Sequence, residues 1–516
     1  MSGVTSAAAN AAAHPARSCS ALTKLSLPDT EITAARNVPR GDYKAPDGKT
    51  YRDLPAFCRV TARIAPSLTF EVWLPATSWN RRLQGVGNGG FAGQISYSAM
   101  APALTAGYAA VSTDTGHSAS DTANSWISDP ARLRMWGRTS IHLMTVRAKE
   151  ILAERYGAGP KYSYFVGGST GGRQGMIEAQ YYPDDYDGIV SKSPGMDYSH
   201  VMMAVLWASQ HLAEHPDGAL DEDSRKLLGD AVLEACAGRD GVPGDPFLND
   251  PRDCGFPLER LRCKGDRSDG CLTAAQIATA ERIYAPVSNP RTGEQLYPGF
   301  SYGSESAWHY AAEDPQLVSY PQALFGRAVF HDANWDWRTF DFDKDAALVE
   351  KKLAPGIDAT RTDLSRFAAR GGKLIMTQGW SDDYQAATLP IEYYHQVLLD
   401  HGGSDARSSL RGVQQFYRLF MVPGGGHVTG GPGPNSFDAL SAVRNWVERG
   451  IAPKKMVATK YVADRPENGV SMTRPLCPYP QVARYDGSGP ASEAGNFRCA
   501  DDWADFAADV ARQQQR

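Results

Sequence analysis

The chain has 516 residues, 42% apolar and 22% charged, the balance of an ordinary soluble globular protein and not of a disordered or fibrous one. A net charge of -5 without any basic run excludes an electrostatic case for nucleic acid. The longest apolar stretches, such as residues 201–208, are too short for a membrane span of ~18 residues, and the length itself predicts more than one core.

In chain order, residues 1–16 are Ala-rich and expected to be disordered. Strands are then expected at 69–74 (TFEVWL), at 82–86 leading into the glycine-rich 87–93, at 108–113 (YAAVST) and at 162–166 (YSYFV). A helical spacing of apolar residues covers 139–156. Strands alternating with helices predict an α/β fold with a parallel sheet. The rhythm changes after about residue 198. Up to about 365 the chain carries four of its eight cysteines, many prolines and glycines, and Trp207, Trp308, Trp335 and Trp337. It returns with strands at 372–380 (GKLIMTQGW) and 416–422 (FYRLFMV) and a helix at 435–449. The expected organisation is a discontinuous core, 17–198 and 366–516, with 199–365 inserted as a lid.

Eight cysteines allow 105 connectivities, and sequence does not choose among them. Pairing neighbours, Cys19 with Cys58, Cys236 with Cys254, Cys263 with Cys271 and Cys477 with Cys499, is the least strained arrangement. No CxxC favours zinc or redox chemistry; reduced thiols in a cytosolic enzyme are the alternative. Disulfides would place the protein outside the cell or in a periplasm, with an export leader expected to have been removed.

Gly167-Gly168-Ser169-Thr170-Gly171 fits G-x-S-x-G, a weak pattern alone in a chain with 50 glycines. Its context strengthens it: strand 162–166 runs into it, and 172–182 can form the helix behind it, as in a nucleophile elbow. The other reading is a glycine-rich turn capping a helix. An acid and a histidine should follow, each on a loop after a strand. Asp382 and Asp383 both follow 372–380, and Asp382 is favoured as the first carboxylate clear of the strand. Of 11 histidines, only His427 lies in a glycine-rich loop directly after an apolar strand; His395 and His401 fall in or beside a surface helix. The expected chemistry is acyl transfer: His427 takes the proton of Ser169, Asp382 orients the imidazole, and backbone N–H groups of Thr170 and of Gly89 or Gly90 receive the oxyanion. No cofactor is required for it.

GGSTGGRQGM, GGKLIMTQGWSDD, FYRLFMVPGGGHVTGGPGPNSFDALSAVRNWVERGIAP and TRPLCPYPQVARYDGSG together resemble the tannase and feruloyl esterase family, which also includes the hydrolase of terephthalate monoesters. The resemblance runs from about Cys19 to Cys499. It implies an α/β-hydrolase core with a large lid inserted between nucleophile and acid, acting on aryl-acid esters such as ferulates, gallates or chlorogenate. Two departures stand out. The family commonly carries a disulfide between the residue before the nucleophile and the one after the histidine; here these are Gly168 and Val428. The family's lid often binds calcium through a CDxxDGVxDGV loop; here Asp240, the Val242 carbonyl and Asp245 remain, Ala237 replaces the first carboxylate, and the spacing shifts by one. A retained structural Ca²⁺ and a plain disulfide-stapled turn are the two expectations for this loop.

Candidate substrate contacts are the lid aromatics Trp308, Phe330, Trp335 and Trp337, which would stack on an aryl acid, and Arg327, which would meet a carboxylate; residues of these types are more often core or surface. The expected partner is a small aromatic ester, with no nucleic acid and no membrane, and nothing in the sequence sets an oligomeric state. The expected activity is hydrolysis of hydroxycinnamate or feruloyl-type esters. Alternatives are a gallate esterase, a phthalate- or terephthalate-type monoester hydrolase, an acyltransferase using the same acyl-enzyme, or a non-catalytic binding protein on this fold.

Overall fold

The computed structural model describes residues 16–239, 242, 244–264, 269–309, 314–402 and 405–513. The expectation of disorder at the N-terminus therefore falls, for residues 1–15, outside the described residues. Two compact units divide the chain: residues 1–86, 93–117 and 140–164 form one, and residues 87–92, 118–139 and 165–516 the other.

In the first unit five strands, β1 (Thr30–Val38), β2 (Phe57–Ile64), β3 (Leu68–Pro75), β4 (Arg82–Val86) and β5 (Ala109–Thr113), hydrogen-bond in the order β1-β2-β3-β5-β4. The first three contacts are antiparallel and β4 pairs β5 in parallel. In β2 the alternate residues Cys58, Val60, Ala62 and Ile64 are buried, the period-2 signature of a strand with one core face. β3 is buried nearly throughout, including Glu71, whose carboxylate is held by Arg59, by Tyr97 Oη at 2.9 Å and by Trp73 Nε1 at 3.1 Å. A buried carboxylate is tolerated here because every lone pair has a donor. Helices α1 (Tyr97–Thr105) and α2 (Ser140–Tyr156) complete this unit.

From residue 165 on, the second unit holds the rest of β6 (Tyr162–Ser169) with β7 (Gly188–Pro194), β8 (Lys373–Gly379) and β9 (Tyr417–Val422), in the order β6-β7-β8-β9, with β7, β8 and β9 parallel. Helix α3 (Thr170–Tyr181) follows β6 without a loop. Residues 199–365 share this unit. They contain α4 (Tyr198–Glu214), α5 (Glu222–Cys236), α6 (Ala274–Tyr284) and α7 (Pro315–Phe325), with a short ribbon pairing Val287–Ser288 and Gln295–Tyr297. The caps are legible in sequence: Asp221 accepts from Ser224 N at 2.9 Å, and Thr273 and Gln276 form a capping box. Leu228, Val232 and Cys236 repeat every four residues along α5 and face a core with Leu206, Phe325 and Trp308. After β9, α8 aside (Leu389–Asp400, between β8 and β9), helix α9 (Ala439–Arg449) starts where the Asp438 side chain accepts from Ser441 N at 2.9 Å. Two hairpins follow, Met456–Tyr461 with Val470–Leu476 and Gln481–Tyr485 with Phe497–Asp501.

All four neighbour disulfides are formed: Cys19–Cys58, Cys236–Cys254, Cys263–Cys271 and Cys477–Cys499. Among the described residues no helix is long and apolar enough to cross a membrane.

Candidate active site

Ser169 ends β6 with φ 58° and ψ -122°, a backbone conformation that costs an L-residue of order 1–3 kcal/mol and that neighbouring structure must enforce. Gly171 permits the turn to close: a Cβ there would lie 2.9 Å from the Asn88 carbonyl oxygen. The strain aims Ser169 off the strand end, while the Ser169 carbonyl accepts from Gly195 N at 3.1 Å. Four residues on, in the first turn of α3, Arg173 is fully buried. Its guanidinium donates to the carbonyls of Gly137 (2.9 Å) and Ile357 (2.6 Å) and lies over the rings of Trp136 and Tyr198. Burial lowers its pKa to about 10.

The glycine-rich loop 87–92 lies against the start of α3. Asn88 N donates to Gln174 Oε1 at 3.1 Å and Gln174 Nε2 returns a bond to Asn88 Oδ1 at 3.1 Å. The Thr170 hydroxyl donates to the Gly90 carbonyl at 2.7 Å, which fixes the Gly89–Gly90 peptides beside the first turn of α3. The N–H of Thr170 is among the first four of that helix, which have no intrahelical acceptor. The structure thus brings Thr170, Gly89 and Gly90 together.

His427 follows β9 and carries its Nδ1 3.0 Å from both carboxylate oxygens of Asp382. Asp382 is fully buried, and its remaining capacity is filled: Oδ1 accepts from Tyr384 N and Gln385 N at 3.0 Å each, Oδ2 from Gln378 Nε2 at 2.9 Å. Burial opposes its charge, but His427 and these donors prevail and hold the carboxyl below the usual aspartate value. For His427 burial likewise opposes the charge, and the Asp382 carboxylate, its hydrogen bond and the nearby Asp383 outweigh it, so the imidazole pKa is raised. The loops carrying Ser169 and His427 touch: a Cβ on Gly168 would lie 2.5 Å from Val428 Cγ1, and Val428 N donates to Ser193 Oγ at 3.1 Å. Where relatives of this type place a disulfide, the chain has packing of Val428 onto Gly168. Asp383 turns away from His427's Nδ1 and instead meets His309 Nε2 at 2.9 Å. A cavity of about 290 Å³ opens beside His427, walled by Ser381, Asp383, Tyr384, Ser306 and Thr429.

The other histidines of the sequence reading lie elsewhere. His395 is buried in α8, not on a surface helix, with Nε2 3.0 Å from Tyr479 Oη, and burial lowers its pKa to about 4. His401 packs its ring against Phe416.

Several expected binding residues are corrected by their packing. Trp308 is buried, its Nε1 donating to Ser304 Oγ at 2.8 Å and its ring meeting Tyr284 edge-on at 4.9 Å. Trp335 stacks on Phe330 at 4.7 Å and meets Phe340 at 6.3 Å; Trp337 is buried under its neighbour Arg338. Trp308, Trp335 and Trp337 are thus buried, and the half-buried Phe330 has one face covered by Trp335. Arg327 donates to Ser128 Oγ at 3.4 Å, and none of its described contacts reaches Ser169 or His427. The aromatics that do border the oxyanion loop are different. Phe91, next to Gly90, packs against Trp126 (5.6 Å), Trp136 (5.7 Å), Tyr198 (6.5 Å) and Tyr320 (4.7 Å). Tyr320 Oη stands 3.0 Å from where a Gly90 Cβ would be. Phe91 was within reach of sequence, as the residue following the glycine loop; Tyr320, on α7, carries no local signal.

The calcium expectation does not fit the described residues. Asp245 is buried with Oδ1 2.6 Å from Arg474 Nη2 and Oδ2 2.7 Å from Asn249 Nδ2, so a guanidinium occupies the place a cation would need. Val242 is buried, and Asp240 lies outside the described residues. Asp197, His200 and Asp358 also approach within 4.8 Å of one another. Both nitrogens of His200 are engaged, Nδ1 with Asp197 at 2.6 Å and Nε2 with Glu350 at 3.1 Å, and Ser199 binds Asp358. A protonated imidazole among carboxylates accounts for this group, since its pKa is raised well above the usual value against burial.

Parallel strands, a serine at a strand-to-helix elbow, and an acid and a histidine on loops after later strands define an α/β hydrolase. The chain belongs to the tannase and feruloyl esterase family, whose model matches residues 53–500. It is 38% identical over 540 residues to an uncharacterized esterase of Xanthomonas campestris pv. campestris, across 96% of this chain and 92% of that one. It is 31% identical over 481 residues to a probable feruloyl esterase B-2 of Aspergillus flavus, across 88% of this chain and 87% of the relative. The crystal structure of feruloyl esterase B from Aspergillus oryzae matches with a TM-score of 0.84 at 27% identity, covering 94% of this chain and 100% of that one. A tannin acyl hydrolase from Aspergillus niger, at 21% identity and a TM-score of 0.76 over 94% of this chain and 93% of its own, shares the fold. The protein is a carboxylic ester hydrolase.

Proposed function

We propose that the protein cleaves aromatic esters of the hydroxycinnamate or feruloyl type through an acyl-enzyme on Ser169. The observation that carries this reading is the Asp382–His427 hydrogen bond at 3.0 Å, on a loop touching the one that holds Ser169 in its strained elbow. Asp382 fixes His427 with Nδ1–H, leaving Nε2 as the base. Ser169 Oγ attacks the ester carbonyl carbon as Nε2 takes its proton, and the oxyanion is received by Thr170 N–H and a Gly89 or Gly90 N–H. Collapse expels the alcohol, which takes the proton from Nε2; water then repeats the sequence and releases the acid. The acyl ring is assigned to the half-buried Tyr320 ring beside Gly90, in place of the lid tryptophans. The names of the feruloyl esterase relatives support the acyl preference. Four disulfides support an exported enzyme, secreted or periplasmic.

The test is release of free acid from methyl ferulate, chlorogenate, methyl gallate and a terephthalate monoester by wild type and Ser169→Ala. Preferential hydrolysis of the ferulate or chlorogenate, abolished in Ser169→Ala, is expected. Preference for gallate or terephthalate would replace the acyl assignment, and equal, negligible release by both proteins would favour a binding protein.

A further inference from the structure

The two carboxylates after β8 do different things, and only one has a role so far. Asp383 is buried beside Asp382 and held by His309 Nε2 at 2.9 Å. Between them stands Tyr384, its ring 4.7 Å from the His309 ring and 5.0 Å from the His427 ring. His309 comes from segment 199–365, so this contact ties that segment to the acid–base pair through one imidazole–carboxylate contact and one tilted ring contact. The groups facing the cluster, among the described residues, are Asp382, His309 and Tyr384 around Asp383 and His427, with Asp314 and Tyr320 on the far side of Tyr384.

We propose that Asp383 and His309 are positioning residues that set the proton affinity of the catalytic base: Asp383 supplies a second negative charge to His427, and His309 keeps that carboxylate ionised and in place. This rests on His427 being the base. The electrostatics agree in direction. Burial and then the Asp382 charge raise the Asp383 carboxyl, and with His309 pulling the other way it stands at about 6; Asp383 in turn raises His427. Near neutrality Asp383 is therefore mainly an anion. A neutral residue at 383 removes that support, and a neutral residue at 309 weakens it by letting Asp383 protonate more readily.

The test is the acid limb of kcat/KM against pH on methyl ferulate for wild type, Asp383→Asn, His309→Gln and the double variant. Asp383→Asn is expected to move the limb to lower pH by more than about 0.3 unit, since loss of a neighbouring opposite charge lowers a histidine pKa. His309→Gln should move it the same way by less, and the double variant should match Asp383→Asn, because the histidine acts through the carboxylate. A purely structural pair would lower kcat without moving the limb. A shift in Asp383→Asn smaller than about 0.3 unit overturns the proposal. If Asp383→Asn does not fold, as read by circular dichroism, His309→Gln decides alone: a downward shift supports the proposal and an unmoved limb overturns it. Wild type without ester hydrolysis defeats the esterase reading and this inference with it; an active wild type with unmoved limbs defeats the inference only.

Discussion

At position 382 a carboxylate is buried with five hydrogen-bond contacts, and at 383 its neighbour is buried against His309 of segment 199–365. The partner decides the role. Asp382→Asn keeps the shape but presents the wrong tautomer to His427, and kcat is expected to fall on the order of 10³–10⁴-fold, measured at saturating ester. The pair also makes stability depend on pH. Asp382 is depressed, so its contribution exists above the unfolded value of ~3.9 and is lost as pH falls through its folded value. His427 is raised, so its contribution exists below ~6.5 and is lost as pH rises through its folded value. The Tm difference between wild type and His427→Gln should therefore be largest between about pH 4 and 6.5 and shrink by pH 8–9; a difference that grows toward pH 9 contradicts the assigned protonation states. Gly168 and Val428 offer a separate test. A Cβ on Gly168 would stand 3.3 Å from Val428 Cβ, close to the spacing a disulfide spans. Gly168→Cys with Val428→Cys should form a crosslink on exposure to dissolved oxygen, which accepts the two electrons, leaving zero free thiols by titration. Two free thiols in the folded protein would show that the loops are further apart.

Between elements, the same logic of buried charge explains what sequence reading missed. Asp245 reads as a metal ligand because its partner, Arg474, lies 229 residues away on a hairpin strand that carried no strand expectation. Both side chains are buried, so Arg474→Met leaves a carboxylate unpaired and should cost about 3–5 kcal/mol of stability by denaturant unfolding. A loss below ~1 kcal/mol would mean that something else neutralises Asp245. Elements with a local signature were legible. The expected helix 139–156 appears as α2, strand 372–380 as β8, and strand 416–422 as β9. β7 went unread because Lys192 and Pro194 interrupt its apolar run, although its lysine is half-buried and its serines face the core. Ser169, Asp382 and His427 were legible as candidates because they sit where strands end, a place that sequence patterns mark. The aromatic surroundings were not: tryptophans of segment 199–365 look available in sequence, yet Trp308 and Trp335 pack on other rings and Trp337 is buried beside Arg338, while Tyr320 reaches Gly90 from a helix with no motif.

For the whole molecule, four disulfides close loops separated by 39, 18, 8 and 22 residues, one in the first unit and three in the second. Removing a native disulfide typically costs 2–5 kcal/mol in small secreted domains, so reduction under native conditions should lower Tm measurably, by several degrees for a chain of this size. An unchanged Tm with eight reactive thiols would remove the argument for an oxidising compartment. The central claim is covalent catalysis at Ser169, and intact-mass spectrometry tests it most directly. Rapid acid quench of the enzyme turning over methyl ferulate should show a species heavier by one feruloyl group, mapped to the peptide containing Ser169 and missing in Ser169→Ala. Ester hydrolysis by wild type that continues undiminished in Ser169→Ala, with no acylated peptide at any quench time, would contradict the account.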